Sequence, residues 1–184
     1  MSDSGARTAA GRTETRRNRE GEEAPPPRAL ITAAAAELLH RLQQRHGPVM
    51  FHQSGGCCDG SSPMCYPDGD FIVGDRDVLL GVLEGAPVWI SGPQFDTWKH
   101  TQLLIDVVPG RGGGFSLEAP EGMRFLSRGR AFTDDENRLL AGAPALTGAD
   151  YERGARPPER TDLVVAEAAD ACAIPARRAG VVEP

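Results

Sequence analysis

Between residues 28 and 46 the apolar side chains Ile31, Ala35, Leu38, Leu39 and Leu42 recur at helical intervals, with Glu37, His40, Arg41 and Arg45 on the opposite face. Gly47 supplies a stop and Pro48 prevents continuation, so the spacing predicts one amphipathic helix over 28–46. Beyond Pro48 the pattern changes. Short apolar or alternating runs at 49–52, 71–73, 78–83, 87–91, 103–108, 114–117 and 123–126, each bounded by Gly, Pro or Asp, read as strands. One helical turn is expected over 92–99, with Phe95 and Trp98 on one face. Together these elements predict an α+β fold, mostly β: a small sandwich or barrel-like sheet with one N-terminal amphipathic helix packed on it. Residues 53–70, rich in Gly, Ser, Pro and Asp, are expected to form a long loop. A loop of that length is usually functional or held by something.

The two ends lack this patterning. Residues 1–28 carry Ser, Thr, Arg, Glu and the run Pro25-Pro26-Pro27, and are expected to be a disordered arm. Residues 29–133 form the expected globular domain, and 134–184, built from Ala, Gly, Pro, Arg and acids, a low-complexity, mostly disordered tail. The net charge of −6 is spread without a dense basic patch, which argues against nucleic acid as a partner. No apolar run reaches the roughly 20 residues of a membrane span, so no membrane association is expected. The first residues lack the charged-then-apolar layout of a secretory signal, and a cytoplasmic location is the expectation. In a reducing compartment, clustered thiols serve as ligands or reactive groups rather than as structural disulfides.

Three of the four cysteines, Cys57, Cys58 and Cys65, fall inside the polar loop, with His52 just before it and His100 following Trp98-Lys99. Thiolates and imidazoles are the ligand set of zinc and iron. The spacing is not the paired pattern of a zinc ribbon, and adjacent side chains in extended backbone point opposite ways. One of Cys57 and Cys58 would therefore be joined by Cys65 and a histidine. The same residues admit a second chemistry. A nucleophilic cysteine needs a lowered pKa, and Gly55-Gly56 allow several backbone N–H groups to converge on one sulfur, with His100 as base and Lys99 as nearby positive charge. Lys99 is the only lysine in the chain. Against both stands the reading of cysteine as a small hydrophobe, which suits Cys172 better than three thiols in so polar a segment. Asp59, Asp68, Asp70, Asp75 and Asp77 are expected as turn formers, and Trp89, Phe95 and Trp98 as core or pocket lining.

The stretch Gly47-Pro48-Val49-Met50-Phe51-His52-Gln53-Ser54-Gly55-Gly56-Cys57-Cys58-Asp59-Gly60, continuing to Cys65-Tyr66, resembles domain-of-unknown-function family 779. So do Trp98-Lys99-His100-Thr101-Gln102 and Gly110-Arg111-Gly112-Gly113-Gly114-Phe115. Members are small bacterial proteins often encoded near aldehyde or alcohol dehydrogenases. The resemblance thus implies such a dehydrogenase as partner, and it implies no established activity. A fainter likeness to small β-rich iron–sulfur scaffolds fails at the ligands. Those end in a Cys-Gly-Cys pair, whereas no cysteine follows Cys65 within 29–133. The leading expectation is a metal-binding accessory protein that draws its zinc or iron ligands from His52, Cys57, Cys58, Cys65 and His100. Its rivals are a thiol enzyme or redox switch using Cys57 or Cys58 with His100, and a non-catalytic module that docks on a dehydrogenase.

Overall fold

The computed structural model describes residues 24–53, 55, 62–111 and 114–171. Leu30 and Ile31, expected in the first helical turn, instead belong to a strand, β1 (Ala29–Thr32), whose four residues are all buried. The helix starts late because Thr32 is extended (φ −73°, ψ 154°) and its Oγ1 accepts from Ala35 N at 3.3 Å, a side-chain N-cap. Helix α1 (Ala33–His46) then buries Ala35, Ala36, Leu38, Leu39 and Leu42, and Gly47 closes it with an N–H bond to Gln43 O at 2.9 Å.

Among the described residues seven further strands follow: β2 (Val49–Gln53), β3 (Pro63–Pro67), β4 (Val78–Leu83), β5 (Ala86–Ile90), β6 (Thr101–Pro109), β7 (Met123–Ala131) and the two-residue β8 (Val164–Val165). They make two mixed four-stranded sheets, ordered β7-β6-β1-β8 and β3-β2-β5-β4. In the first, β1 is parallel to both β6 and β8, and β6 and β7 form an antiparallel pair. In the second, β2 pairs antiparallel with β3 and parallel with β5. A two-residue turn joins β4 to β5, with Glu84 at φ 47° and Gly85 at φ 82°. Positive φ at both turn positions matches the right-handed twist of the flanking strands. Glu84 pays the steric cost of that conformation and is fastened to α1, its carboxylate meeting His40 Nε2 at 2.9 Å and its carbonyl accepting from Gln43 Nε2 at 2.8 Å.

One core joins both sheets and α1. Phe51 of β2 meets Phe125 of β7 edge to face, with centroids 4.9 Å apart, and Leu39, Leu42, Val88, Leu103 and Ile105 pack around them. A second, smaller cluster covers the outer face of the β3-β2-β5-β4 sheet, where Met50, Leu79 and Trp89 lie under Phe71, Val73, Leu146 and Tyr151.

Three further sequence expectations differ from this structure. Part of the long loop is strand β3, because Met64 and Tyr66 join the outer face while Cys65 enters the core. The runs 71–73 and 114–117 are not strands: Phe71 and Val73 cap the second cluster, and 114–117 turns into a 3₁₀ segment, Ala119–Glu121. Helix α2 (Gly92–Trp98) occupies the expected turn, and the folded unit continues past 133 with α3 (Asp134–Ala141) and α4 (Gly148–Glu152). Thr133 with Glu136 and Thr147 with Asp150 form reciprocal capping boxes, and Leu140 and Leu163 are buried. These caps and isolated leucines carry no periodic apolar signal, which is why composition read the segment as tail. Among the described residues no helix is long and apolar enough to cross a membrane.

Candidate functional site

Strands β2 and β3 pair antiparallel, and residues 54–62, which include Cys57 and Cys58, connect them in the sequence. Cys57 and Cys58, like Cys172, lie outside the described residues. In an antiparallel ladder, directly opposed side chains share a face and successive ones alternate. Phe51 opposes Cys65 on the core face, whereas His52 opposes Met64 on the outer face.

On the outer face, His52 is half-buried. Its ring lies 4.4 Å from that of Phe71 at 33°, and Phe71 stacks in turn on Tyr66 at 5.1 Å. Its Nε2 is 3.7 Å from Asp77 Oδ2, an ion-pair distance too long for a hydrogen bond. Burial pushes the imidazole below its ordinary pKa, and the Asp77 carboxylate pulls it only part of the way back. The ring is therefore neutral near pH 7. Asp77 is held from both sides: its Oδ2 accepts from Gly74 N at 2.9 Å and its carbonyl from Gly148 N at 2.8 Å. It is the turn former that sequence suggested, and it is also the charge facing His52. The second role depends on a fold contact that has no local signature. Along β3, Tyr66 Oη donates to Met64 Sδ at 3.1 Å.

On the core face the chemistry is different. Cys65 is unbridged and fully buried, and burial followed by the charge of Glu118 pushes its thiol far above the ordinary range. Cys65 N donates to Ser116 Oγ at 2.8 Å, and that hydroxyl donates in turn to Glu118 Oε2. Glu118 is 1% exposed, and burial raises its carboxyl despite the bonds from Ser116 and Phe125 N. This pair escaped the sequence reading; the alternation Phe115-Ser116-Leu117-Glu118 gave its only trace, and it suggested a strand.

His100 occupies a third setting, between α2 and β6, exposed and with Nδ1 3.0 Å from Asn137 Oδ1. The structure thus places His52 on the outer face of the second sheet, turns Cys65 to the opposite side of that sheet, and gives His100 an asparagine partner from α3. Among the described residues no three His, Cys, Asp or Glu side chains stand close enough together to hold a metal ion.

No curated protein and no solved structure matches the chain. The model of one family, a domain of unknown function (DUF779), matches residues 38–131, from within α1 to the end of β7 and just over half of the sequence; the chain belongs to that family.

Proposed function

We propose that the protein is a metal-binding accessory protein in which His52 and the thiolate of Cys57 or Cys58 take a transition metal, zinc or iron. The observation that carries this reading is the setting of His52: half-buried, its ring 4.4 Å from that of Phe71, with the Asp77 carboxylate 3.7 Å from Nε2. Neutral imidazole is the ligating form, and a carboxylate at the far nitrogen is the usual companion of a metal-bound histidine. Cys65 is left out of this ligand set, because a strand cannot turn two opposite faces to one ion. His100 is left out because it precedes β6 of the other sheet, away from the strand that carries His52. The accessory role, with an aldehyde or alcohol dehydrogenase as partner, rests on the family resemblance and not on any surface of the chain.

Metal analysis of tag-free protein purified without chelator tests the reading. Near-stoichiometric zinc or iron is expected, falling several-fold in His52→Ala and in a Cys57→Ser, Cys58→Ser double variant, and unchanged in Cys65→Ala. Metal-free protein, or a metal content indifferent to His52, refutes it.

One observation favours a thiol-dependent alternative. Asn137 orients His100 through Nδ1 and leaves Nε2 available as a base for Cys57 or Cys58. Alkylation against pH separates the two, since an activated thiolate titrates well below the roughly 8.5 of free cysteine. Protection that a chelator removes belongs to the metal.

A further inference from the structure

A cavity of about 280 Å³ lies between the two sheets. Leu80 and Ile90 of the second sheet face Leu103 of the first across it, and Phe95 and Trp98 of α2 form a third, aromatic wall. Half-buried Trp98 and exposed Lys99 mark its mouth. The volume suits a small molecule, and the walls are apolar, as ligand sites generally are.

The charged groups at its edge are all basic: Arg28, Lys99 and Arg128. Two of the three have carboxylates of their own. Arg128 Nε is bound to Asp106 Oδ2 at 2.7 Å, and Lys99 Nζ is 3.7 Å from Asp96 Oδ1. The lysine pair is solvent-exposed, so it holds the ammonium only weakly. Arg28 is different. Its Nη2 donates to the carbonyls of Leu140 (3.2 Å) and Ala143 (3.1 Å), and its guanidinium carbon sits 5.5 Å from the Phe95 ring centroid. These contacts fix the group in place without neutralising it. Among the described residues no carboxylate pairs with Arg28, and its Nε and Nη1 make no hydrogen bond. A partly buried guanidinium without a counter-ion is costly, and an anion delivered by a ligand relieves that cost.

We propose that this cavity binds a small apolar molecule bearing one carboxylate, a short-chain or aromatic acid. Its hydrocarbon part lies between Leu80, Leu103 and Trp98, and its carboxylate meets Arg28 and Lys99. The cavity also assigns a role to part of the Trp98-Lys99-His100-Thr101-Gln102 string, since Trp98, Lys99 and Thr101 all line it. This goes beyond the metal reading and does not depend on it.

Titration calorimetry and Trp emission test the proposal on the full chain, once as purified and once after chelator treatment. The probes are hexanoate and benzoate, each with its neutral amide as control. Saturable binding of the acids is expected in both preparations, with an emission change that Trp98→Phe abolishes while buried Trp89 contributes none. The amides bind about tenfold or more weakly, the usual gap between charge-assisted and neutral hydrogen bonds. Arg28→Gln and Lys99→Gln weaken the acids and leave the amides alone, and Leu80→Trp blocks both by filling the space. Arg28 also fastens residues 140–143, so the exposed Lys99 carries the test if Arg28→Gln fails to fold. Amides that bind as tightly as acids overturn the proposal. So does the absence of saturable binding at millimolar concentration, or binding that survives Leu80→Trp.

Discussion

The thiol of Cys65 gives the sharpest test of how the hairpin is built. Its side chain lies on the core face opposite Phe51, with no exposed surface and with Glu118 nearby. Two effects suppress its reaction with an alkylating agent. Burial and the neighbouring acid push its pKa far up, so little thiolate forms at pH 8. The reagent also cannot reach the sulfur until the core opens. Taking about 5 kcal/mol, the low end of domain stabilities, the open population is on the order of 1 in 10⁴. Cys65 should therefore alkylate at least ~10³-fold more slowly in the native protein than in guanidinium, where it behaves as an ordinary thiol. A timed iodoacetamide pulse at pH 8, read by peptide mass spectrometry, measures this site by site. Chelator should not change the Cys65 rate, because the protection comes from packing. Native alkylation within tenfold of the unfolded rate, or protection that disappears with chelator, would show that Cys65 faces outward, and the pairing of β2 with β3 would be wrong. Cys65→Ala should cost only about 1–2 kcal/mol, the lost burial of a small apolar group plus a small void.

Two further predictions concern groups coupled to the same hairpin. Burial raises the folded pKa of Glu118 above its unfolded value of 4.5, so the native state binds the proton more tightly. Stability should then fall as pH rises from about 4.5 through the raised value, and Glu118→Gln should flatten that slope in denaturant titrations; an identical slope in wild type and variant would refute it. A Cβ on Gly148 would lie 2.2 Å from Gly74 O, backbone that cannot move aside cheaply. Gly148→Ala should accordingly cost about 1–3 kcal/mol and loosen the turn that presents Asp77. With that carboxylate displaced, the His52 pKa, followed by NMR, should drop further below its ordinary range. An unchanged midpoint and titration would mean that α4 does not hold the turn.

The period of the apolar residues was enough to fix the class of fold and the place of several core elements. Leu38, Leu39 and Leu42 had to share a helix face, and the runs at 78–83, 87–91 and 103–108 had to be strands, because those patterns are local and repeat. Family membership was likewise legible in long strings of adjacent residues. Local pattern failed where partners are distant. Leu30 and Ile31 look helical by spacing, yet pair with Leu104 and Ile105 some seventy residues away. Residues 134–165 look like tail, yet their caps and two leucines close over the sheets.

The candidate site divides in the same way. Sequence alone located the thiols, the histidines and the Trp98-Lys99 pair, because residue type is a local property. Which of them share a surface depends on strand register, since a shift of one residue in a ladder exchanges the faces. Pairing His52 with Met64, and Cys65 with Phe51, sends the imidazole outward to Asp77 and the thiol inward to Glu118. The setting of Arg28 beside the inter-sheet cavity, without a carboxylate partner among the described residues, is likewise a consequence of packing, formed by the start of β1, α2 and the 140–143 turn, three segments with no local signal that brings them together.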